Sequence, residues 1–303
     1  MGKQLAEKYP VARQTFEEAD EALGYKLSQL CFEGPEEKLR MTEITQPAIL
    51  TTSVAAGRVL REKGVNPGFV AGHSLGEYSA HVAAGTMSFS DAVRTVRNRG
   101  KYMQEAVPVG MGAMAAILGM ELGKVTAVCS DAAHGEVCQP ANINSAEQVV
   151  ISGHTAAVER ATELASERGA KRAIMLSVSA PFHCSLMKPA QDRLAADLKS
   201  LQFQKPAVPV VCNVDAALLA DADLSRDALV RQVTGAVKWD QSMRLLIAKG
   251  MHVFVEAGPG KVLCGLMRQI DRSKTCLSVG DEASLNKTLE QLTAKQVLYT
   301  ARN

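Results

Sequence analysis

The sequence has few aromatic residues and no long apolar run. Phenylalanine, tyrosine and tryptophan make up 4% of its 303 residues, and tryptophan occurs once. No run of about 18 apolar residues is present, so we expect no membrane-spanning helix. The N-terminus carries charged residues in place of the apolar stretch that a signal peptide needs. The sequence therefore predicts a globular protein of the cytoplasm.

The sequence also lacks an excess of either charge. It has 34 basic and 32 acidic residues, which gives a formal net charge of +2. Proteins that bind nucleic acid or anionic membranes through bulk electrostatics carry a clear basic excess. We therefore predict neither nucleic acid nor a membrane among the partners, and we expect a monomer.

Paired cysteine and metal-binding motifs are missing as well. The seven cysteines are odd in number and form no C-x-x-C pair, so we expect reduced thiols. His73, Glu77 and His81 are spaced by four residues, which could place them on one helix face as metal ligands. However, His73 precedes the predicted helix and no H-E-x-x-H motif occurs. We therefore expect no metal site.

What the sequence does contain is an apolar run at 69–71 that stops at Gly72-His73-Ser74-Leu75-Gly76. This is the G-x-S-x-G nucleophile elbow, in which a strand ends, the chain turns sharply and a helix begins. We expect both glycines to let strand and helix approach closely. Ser74 Oγ would stand at the turn, facing the N–H groups of the first helical turn. The alternative is a tight turn in which the serine only caps the helix.

Strands alternate with helices along the chain, which predicts an α/β fold. The order β-α-β-β-α-β between residues 111 and 178 is that of a ferredoxin-like domain. We therefore predict an α/β-hydrolase-like large domain with a mainly parallel sheet, formed by 1–109 and 180–303. A ferredoxin-like small domain at 110–179 would be inserted into it.

Several element boundaries follow from helix and strand signals. We predict one helix over 3–24 and a second over 47–63, with Pro47 in its first turn. Ser90 is predicted to cap a helix that ends near residue 106. A buried strand is predicted at 208–214.

A serine is a weak nucleophile until a base takes its proton. His183 follows a predicted strand where the small domain ends, and sites often form between domains. A histidine with only a hinge or surface role is the alternative. No acidic residue between Ser74 and His183 has the setting of a triad acid, which weakens a simple hydrolase interpretation. A main-chain carbonyl could orient the imidazole instead.

Three arginines, Arg94, Arg97 and Arg99, lie on the predicted helix that follows the elbow helix. Each could belong to a solvated face. A buried arginine near the serine would instead bind a carboxylate substrate through paired hydrogen bonds. These patterns leave the choice among the three open. The segment 258–261 resembles a phosphate loop only superficially, and we expect a plain turn there.

Six segments, in order along residues 3 to 270, resemble signatures of the malonyl-CoA:acyl carrier protein transacylase family of bacterial fatty acid synthesis. They include the elbow, the segment around Arg99 and the segment around His183. The six segments are 44–48, 72–80, 99–108, 142–145, 180–187 and 256–261.

The resemblance implies a role for each matching residue. Ser74 would be the nucleophile, His183 the general base and then acid, and Arg99 the partner of the malonyl carboxylate. The Leu75 N–H would donate to the oxyanion. The main-chain carbonyl of Gln232 would orient the histidine, which accounts for the missing acid.

The implied reaction moves a malonyl group from malonyl-CoA, through a seryl ester, to the phosphopantetheine thiol of acyl carrier protein. Its partners would be malonyl-CoA and acyl carrier protein, and no cofactor is implied beyond the coenzyme A thioester substrate. Two alternatives are a serine esterase or thioesterase, and a non-catalytic binding protein on the same scaffold.

The sequence departs from the family pattern at its start. The family begins with an apolar strand and a Gly-Gln-Gly-Ser-Gln loop whose glutamine helps to form the oxyanion hole. This sequence begins in the helix that follows. Since one lost oxyanion donor costs about 10²–10³ in rate, we expect reduced activity relative to a chain that has the loop.

Overall fold

The protein has an α/β fold in the computed structural model, which describes the backbone of residues 1–300 and the side chains of residues 1–294. Residues 301–303, the end of the predicted large domain, lie outside the described residues. Two groups of elements are distinguished below. The small module is the four-stranded sheet between Gly112 and Met175 with its two helices, and the large module is everything else.

Helices dominate the large module. They are α1 (Lys3–Lys8), α2 (Pro10–Leu23), α3 (Leu27–Glu33), α4 (Glu36–Leu39), α5 (Thr42–Glu62), α6 (Gly76–Ala83), α7 (Phe89–Glu105), α10 (Lys188–Ser200), α11 (Ala222–Gln232), α12 (Trp239–Ala248), α13 (Val262–Ile270) and α14 (Glu282–Thr300). None of the helices in the described part of the chain has an apolar stretch that could cross a bilayer.

The strands of the large module form two short sheets. Its strands are β1 (Val70–Ala71), β6 (Val210–Val211), β7 (Leu218–Leu219), β8 (Val253–Ala257) and β9 (Thr275–Val279). β1 pairs with β6, and β8 with β9, in parallel, as predicted. β7 adds an antiparallel strand beside β6. Within residues 1–300, no hydrogen-bonded ladder joins β1 to β8, so the parallel pairs lie in separate sheets.

The small module consists of β2 (Gly112–Leu118), α8 (Leu122–Ala133), β3 (Cys138–Ser145), β4 (Gln148–His154), α9 (Thr155–Glu167) and β5 (Arg172–Met175). Its antiparallel sheet has the order β3-β4-β2-β5. This is the ferredoxin-like arrangement, in which the first and third strands of the unit are central. The exact limits of the two domains remain a prediction.

Each module has its own apolar core. In the small module, Ile117 and Ile151 point from the sheet towards Val128 and Val158 on the two helices, and all four are almost completely buried. The large module buries a more extensive cluster that includes Phe16, Leu50, Val93, Met103 and Leu194. Leu75 of the elbow belongs to the cluster of the large module, so the elbow packs on a close-packed core.

Three predicted boundaries are wrong for local reasons. The helix predicted at 3–24 is broken at Tyr9, whose extended backbone precedes Pro10. The helix predicted to start at Pro47 begins at Thr42, because Pro47 fits inside its second turn. The cap of α7 is Ser88 and not Ser90, since Ser88 Oγ accepts the N–H of Asp91.

The strand predicted at 208–214 is also shorter than expected. Only Val210–Val211 is a strand, and the chain then continues through Cys212 and Asn213 as a buried turn. This shortening matters for the site, because it frees the main-chain N–H of Asn213 to donate to the Glu77 carboxylate.

The cysteines depart from the expected state at one place. Cys264 on α13 and Cys276 on β9 form a disulfide, with Cα atoms 5.2 Å apart. The expectation of reduced thiols is therefore wrong for this pair. The other cysteines are free, and four of these five are buried. No local motif marks the pair, because its residues are 12 apart in sequence and meet only in the fold.

Candidate active site

Ser74 occupies the sharp turn between β1 and α6. Its φ is 52°, a left-handed value that a residue with a side chain rarely adopts. Such backbone strain persists only where surrounding contacts hold it, and it is typical of functional sites. The strand–turn–helix arrangement predicted for the nucleophile elbow is therefore present.

The two glycines of the elbow differ in how strictly they are needed. A Cβ on Gly72 would lie 1.9 Å from the main-chain carbon and oxygen of Gly76. A Cβ on Gly76 would meet no atom within 4 Å. The expectation that both positions need glycine is therefore wrong for Gly76, and only Gly72 allows the close approach.

This difference gives a matched pair of variants. Gly72→Ala should lower the free energy of unfolding by about 3 kcal/mol or more, because backbone atoms cannot move aside. Gly76→Ala should change it by at most about 1 kcal/mol, since the position is helical and open. Urea unfolding of the two variants measures both values. Equal stabilities would contradict this account of the elbow.

The serine and the predicted base are in hydrogen-bond contact. Ser74 Oγ lies 2.6 Å from His183 Nε2, although the residues are 109 apart in sequence. His183 Nδ1 lies 2.9 Å from the main-chain oxygen of Gln232. Because a carbonyl oxygen can only accept, Nδ1 carries the proton and Nε2 is free to accept the serine proton. His183 itself has a φ of 59°, a second left-handed residue in the site.

The environment of His183 keeps the imidazole neutral. Burial, reinforced by the positive charge of Arg99, lowers its pKa to about 3. A neutral imidazole is the form that takes a proton from serine. The geometry and the charge state of His183 therefore both fit a general base for Ser74.

Arg99 is the arginine that reaches the serine. It is 2% exposed, and one of its terminal nitrogens donates to Ser74 Oγ at 3.1 Å and to the side-chain oxygen of Gln232 at 3.0 Å. The other donates to the side-chain oxygen of Gln46 at 2.7 Å. Burial lowers its pKa, but a guanidinium stays charged near neutral pH. Among the side chains that the structure describes, the hydrogen-bond partners of this cation are neutral groups and not carboxylates.

The other two arginines of α7 make contacts elsewhere. Arg94 donates to the main-chain oxygen of Ala22 and pairs with Asp91 on the surface. The guanidinium of Arg97 lies over the ring of Tyr25 at 5.6 Å. The structure therefore separates the three candidates that the sequence left equal.

Leu75, the residue after the serine, is 8% exposed and immediately precedes α6. Its main-chain N–H has no acceptor among the residues that the structure describes. An N–H group at this position is free to donate to an oxyanion that forms on an acyl group at Ser74.

The histidines on either side of the serine do not form a metal site. His73 Nε2 lies 2.8 Å from the side-chain oxygen of Asn144, on β3 of the small module. His81 is fully buried, with its Nε2 4.0 Å from Glu77. No cluster of three or more metal-ligating residues occurs in the described part of the chain. His73 instead links the elbow to the small module.

Several polar side chains beneath the serine have contacts that no local sequence pattern predicts. These are Gln46, Glu77, Asn213 and the side chain of Gln232, all at most 7% exposed. Glu77 lies in the first turn of α6, where a negative charge complements the helix dipole, and its hydrogen bonds go to Asn213 and Gln232. One sequence signal could have indicated these residues, namely a charged or amide side chain within an otherwise apolar helix or strand pattern. Burying such a side chain costs free energy unless it is hydrogen-bonded, so its presence suggests a buried polar network.

Known proteins are similar to this chain over nearly its whole length. Residues 1–299 match the family model described as the acyl transferase domain. The malonyl CoA-acyl carrier protein transacylase of Salmonella typhimurium is 49% identical over 289 residues, covering 95% of this chain and 94% of that protein. The corresponding protein of Bacillus subtilis is 47% identical, covering 96% and 92%.

Solved structures agree with the sequence comparison. The malonyl CoA-acyl carrier protein transacylase of Coxiella burnetii superposes with a TM-score of 0.94 at 44% identity, covering 97% of this chain and 93% of that one. A malonyl-transacylase in complex with its type II PKS acyl-carrier protein superposes with a TM-score of 0.93 at 47% identity, covering 96% and 94%. The chain therefore belongs to the acyl transferase domain family and, within it, to the malonyl CoA-acyl carrier protein transacylases.

Proposed function

We propose that this protein transfers a malonyl group from malonyl-CoA to acyl carrier protein, in fatty acid biosynthesis. The observation that carries the proposal is the buried guanidinium of Arg99, 3.1 Å from the Ser74 hydroxyl. A seryl ester formed there would have a fixed cation beside its acyl group. Such a cation favours an acyl group that ends in a carboxylate. The named relatives act on the same kind of substrate.

The first half-reaction forms the malonyl ester. Ser74 Oγ attacks the thioester carbonyl carbon while its proton moves to His183 Nε2. The Leu75 N–H donates to the oxyanion of the tetrahedral intermediate, and the Gln232 carbonyl holds the protonated imidazole in place. The carbon–sulfur bond then breaks, and the thiol of coenzyme A leaves with the proton from His183.

The second half-reaction reverses these steps with a different thiol. The phosphopantetheine thiol of the carrier protein gives its proton to His183, and its sulfur attacks the malonyl-serine carbonyl. Collapse of the intermediate breaks the ester bond and returns the proton to Ser74 Oγ. Because the two half-reactions are chemically alike, one site serves both, and no resident cofactor enters either.

Two other functions make different predictions. A serine esterase or thioesterase would release malonate to water without a carrier protein. A binding protein on the same scaffold would form no covalent ester, yet the Ser74 hydroxyl lies within hydrogen-bond distance of both His183 and Arg99. Incubation with malonyl-CoA and holo carrier protein, followed by intact-mass measurement of both proteins, separates the three. Malonyl-carrier is expected, whereas free malonate or unchanged masses would contradict the proposal.

The pH dependence of ester formation tests the state of His183. The base works in its neutral form, which is present above its pKa. Because that pKa is about 3 and not the usual 6.5, kcat/KM for malonyl-CoA should stay level from about pH 8 down to about pH 5. Single-turnover rates across this range measure it. A fall to half near pH 6.5 would show that the imidazole is not shielded as described.

The partners in this proposal are malonyl-CoA and acyl carrier protein. The monomeric state, the cytoplasmic location and the absence of nucleic acid or membrane partners remain predictions from the sequence.

A further inference from the structure

Three buried polar side chains lie beneath the serine and take no part in the steps above. They are the carboxylate of Glu77 and the side-chain amides of Asn213 and Gln232, and each is 0% exposed. Burying such groups costs free energy unless hydrogen bonds compensate. Their contacts show what they support.

The two amides hold the strained peptide groups of the elbow. Asn213 accepts the Ser74 N–H at 2.7 Å through its side-chain oxygen and donates to the Gly72 carbonyl at 2.7 Å. Gln232 donates from its side-chain nitrogen to the Ser74 carbonyl at 2.9 Å. The peptide groups on both sides of Ser74 are thereby fixed, which is what a left-handed serine requires.

Glu77 joins these two amide residues. Its Oε2 accepts the Asn213 main-chain N–H at 3.0 Å and the Gln232 side-chain N–H at 2.8 Å. The other end of the Gln232 amide accepts from Arg99 at 3.0 Å. A carboxylate on one side and a guanidinium on the other permit only one orientation of the Gln232 amide. The main chain of Gln232 meanwhile holds His183.

We infer that Glu77 is a positioning residue for the transfer reaction, which it supports by fixing the Gln232 amide between Ser74 and Arg99. Glu77 touches no reacting atom, so its effect passes through Gln232 and Asn213. The inference rests on the proposed malonyl transfer. It assigns to Glu77 a positioning role that does not appear among the catalytic steps described above.

The hydrogen bonds define what Glu77 must supply. Both donors converge on Oε2, whereas Oε1 has no hydrogen-bond partner in the described part of the structure and lies 4.0 Å from His81 Nε2. A glutamine could place its oxygen at the Oε2 position and its amide nitrogen at the Oε1 position. Methionine would fill the same space and remove the acceptor. The acceptor oxygen, rather than the negative charge, is thus the requirement.

The test compares Glu77→Gln with Glu77→Met in single-turnover formation of the malonyl enzyme. Glu77→Gln should react within about threefold of the unmodified protein. Glu77→Met should be slower by about 10²-fold, the cost of displacing a reacting group by about 1 Å. The ratio of malonyl to acetyl transfer by Glu77→Met should also fall. The Gln232 amide would no longer be held in one orientation, so it would no longer fix the position of the Arg99 guanidinium. Glu62→Met, an exposed change at the end of α5, is the control.

Gln232→Met provides a second route if Glu77→Met does not fold. It keeps the main-chain carbonyl that holds His183 but removes the amide, and it should reproduce both the slower rate and the lower ratio. The double variant that combines Gln232→Met with Glu77→Met should be no slower in single-turnover ester formation than the slower single variant, because both changes remove the same Glu77–Gln232 contact.

The inference is overturned if Glu77→Met or Gln232→Met reacts at the rate of the unmodified protein, or if the two losses multiply. It is also overturned if Glu77→Gln is as slow as Glu77→Met. Failure of the unmodified protein to form a malonyl enzyme would instead overturn the proposed function.

Discussion

Replacing Ser74 by alanine should abolish formation of the malonyl enzyme and lower transfer to the carrier protein by at least about 10⁴-fold. The hydroxyl is the group that becomes esterified, and it lies 2.6 Å from the base His183 and 3.1 Å from Arg99. Labelling with radioactive malonyl-CoA, followed by denaturation and filter counting, measures the covalent product directly.

Ser79→Ala is the matched control for this variant. Ser79 lies on the same elbow helix, and its buried hydroxyl has no hydrogen-bond partner in the described part of the structure. Its removal should leave labelling unchanged. Covalent labelling of the Ser74→Ala protein would refute Ser74 as the acyl carrier.

Replacing Arg99 by alanine should lower malonyl transfer by roughly 10²–10³-fold, because a buried charged hydrogen-bond partner of the carboxylate is lost. Acetyl transfer should fall much less, since an acetyl group has no carboxylate to pair. The variant should therefore prefer acetyl-CoA more strongly than the unmodified protein. Competition between the two thioesters, read as the mass of the acyl-carrier product, measures the change in preference.

Two further variants, Arg99→Lys and Arg94→Ala, serve as a conservative replacement and a control for Arg99→Ala. Lysine keeps the charge but not the planar fork, so it should restore malonyl transfer only in part. Arg94→Ala changes a surface arginine of the same helix and should leave the preference unchanged. If Arg99→Ala lost malonyl and acetyl transfer equally, its role as the carboxylate partner would be wrong.

The sequence allowed a reliable prediction of features that local patterns encode. The elbow follows from its two-glycine motif, and the small-module order follows from alternating apolar runs and amphipathic helices. The contact between Ser74 and His183 crosses 109 residues, and pattern alone could only suggest it. The family resemblance predicted that Ser74 pairs with His183, because the roles of matching residues in the family reflect contacts in the fold that a single sequence does not show.

Features that depend on tertiary packing could not be predicted in this way. Pro47 inside α5 contradicts local propensity, because packing of that long helix outweighs the cost of one proline. The Glu77 carboxylate accepts from residues 136 and 155 positions away, so no local spacing marks it. The disulfide between Cys264 and Cys276 likewise depends on the approach of a helix to a strand.

The central claim is that Ser74 carries the malonyl group between two thiols. The most direct test isolates the protein after brief exposure to malonyl-CoA, maps the modified peptide by mass spectrometry, and then adds holo carrier protein. We predict one malonyl group on the peptide that contains Ser74, and its quantitative transfer to the carrier thiol. A modified residue other than Ser74, or loss of malonyl to water with an unmodified carrier, would contradict the account.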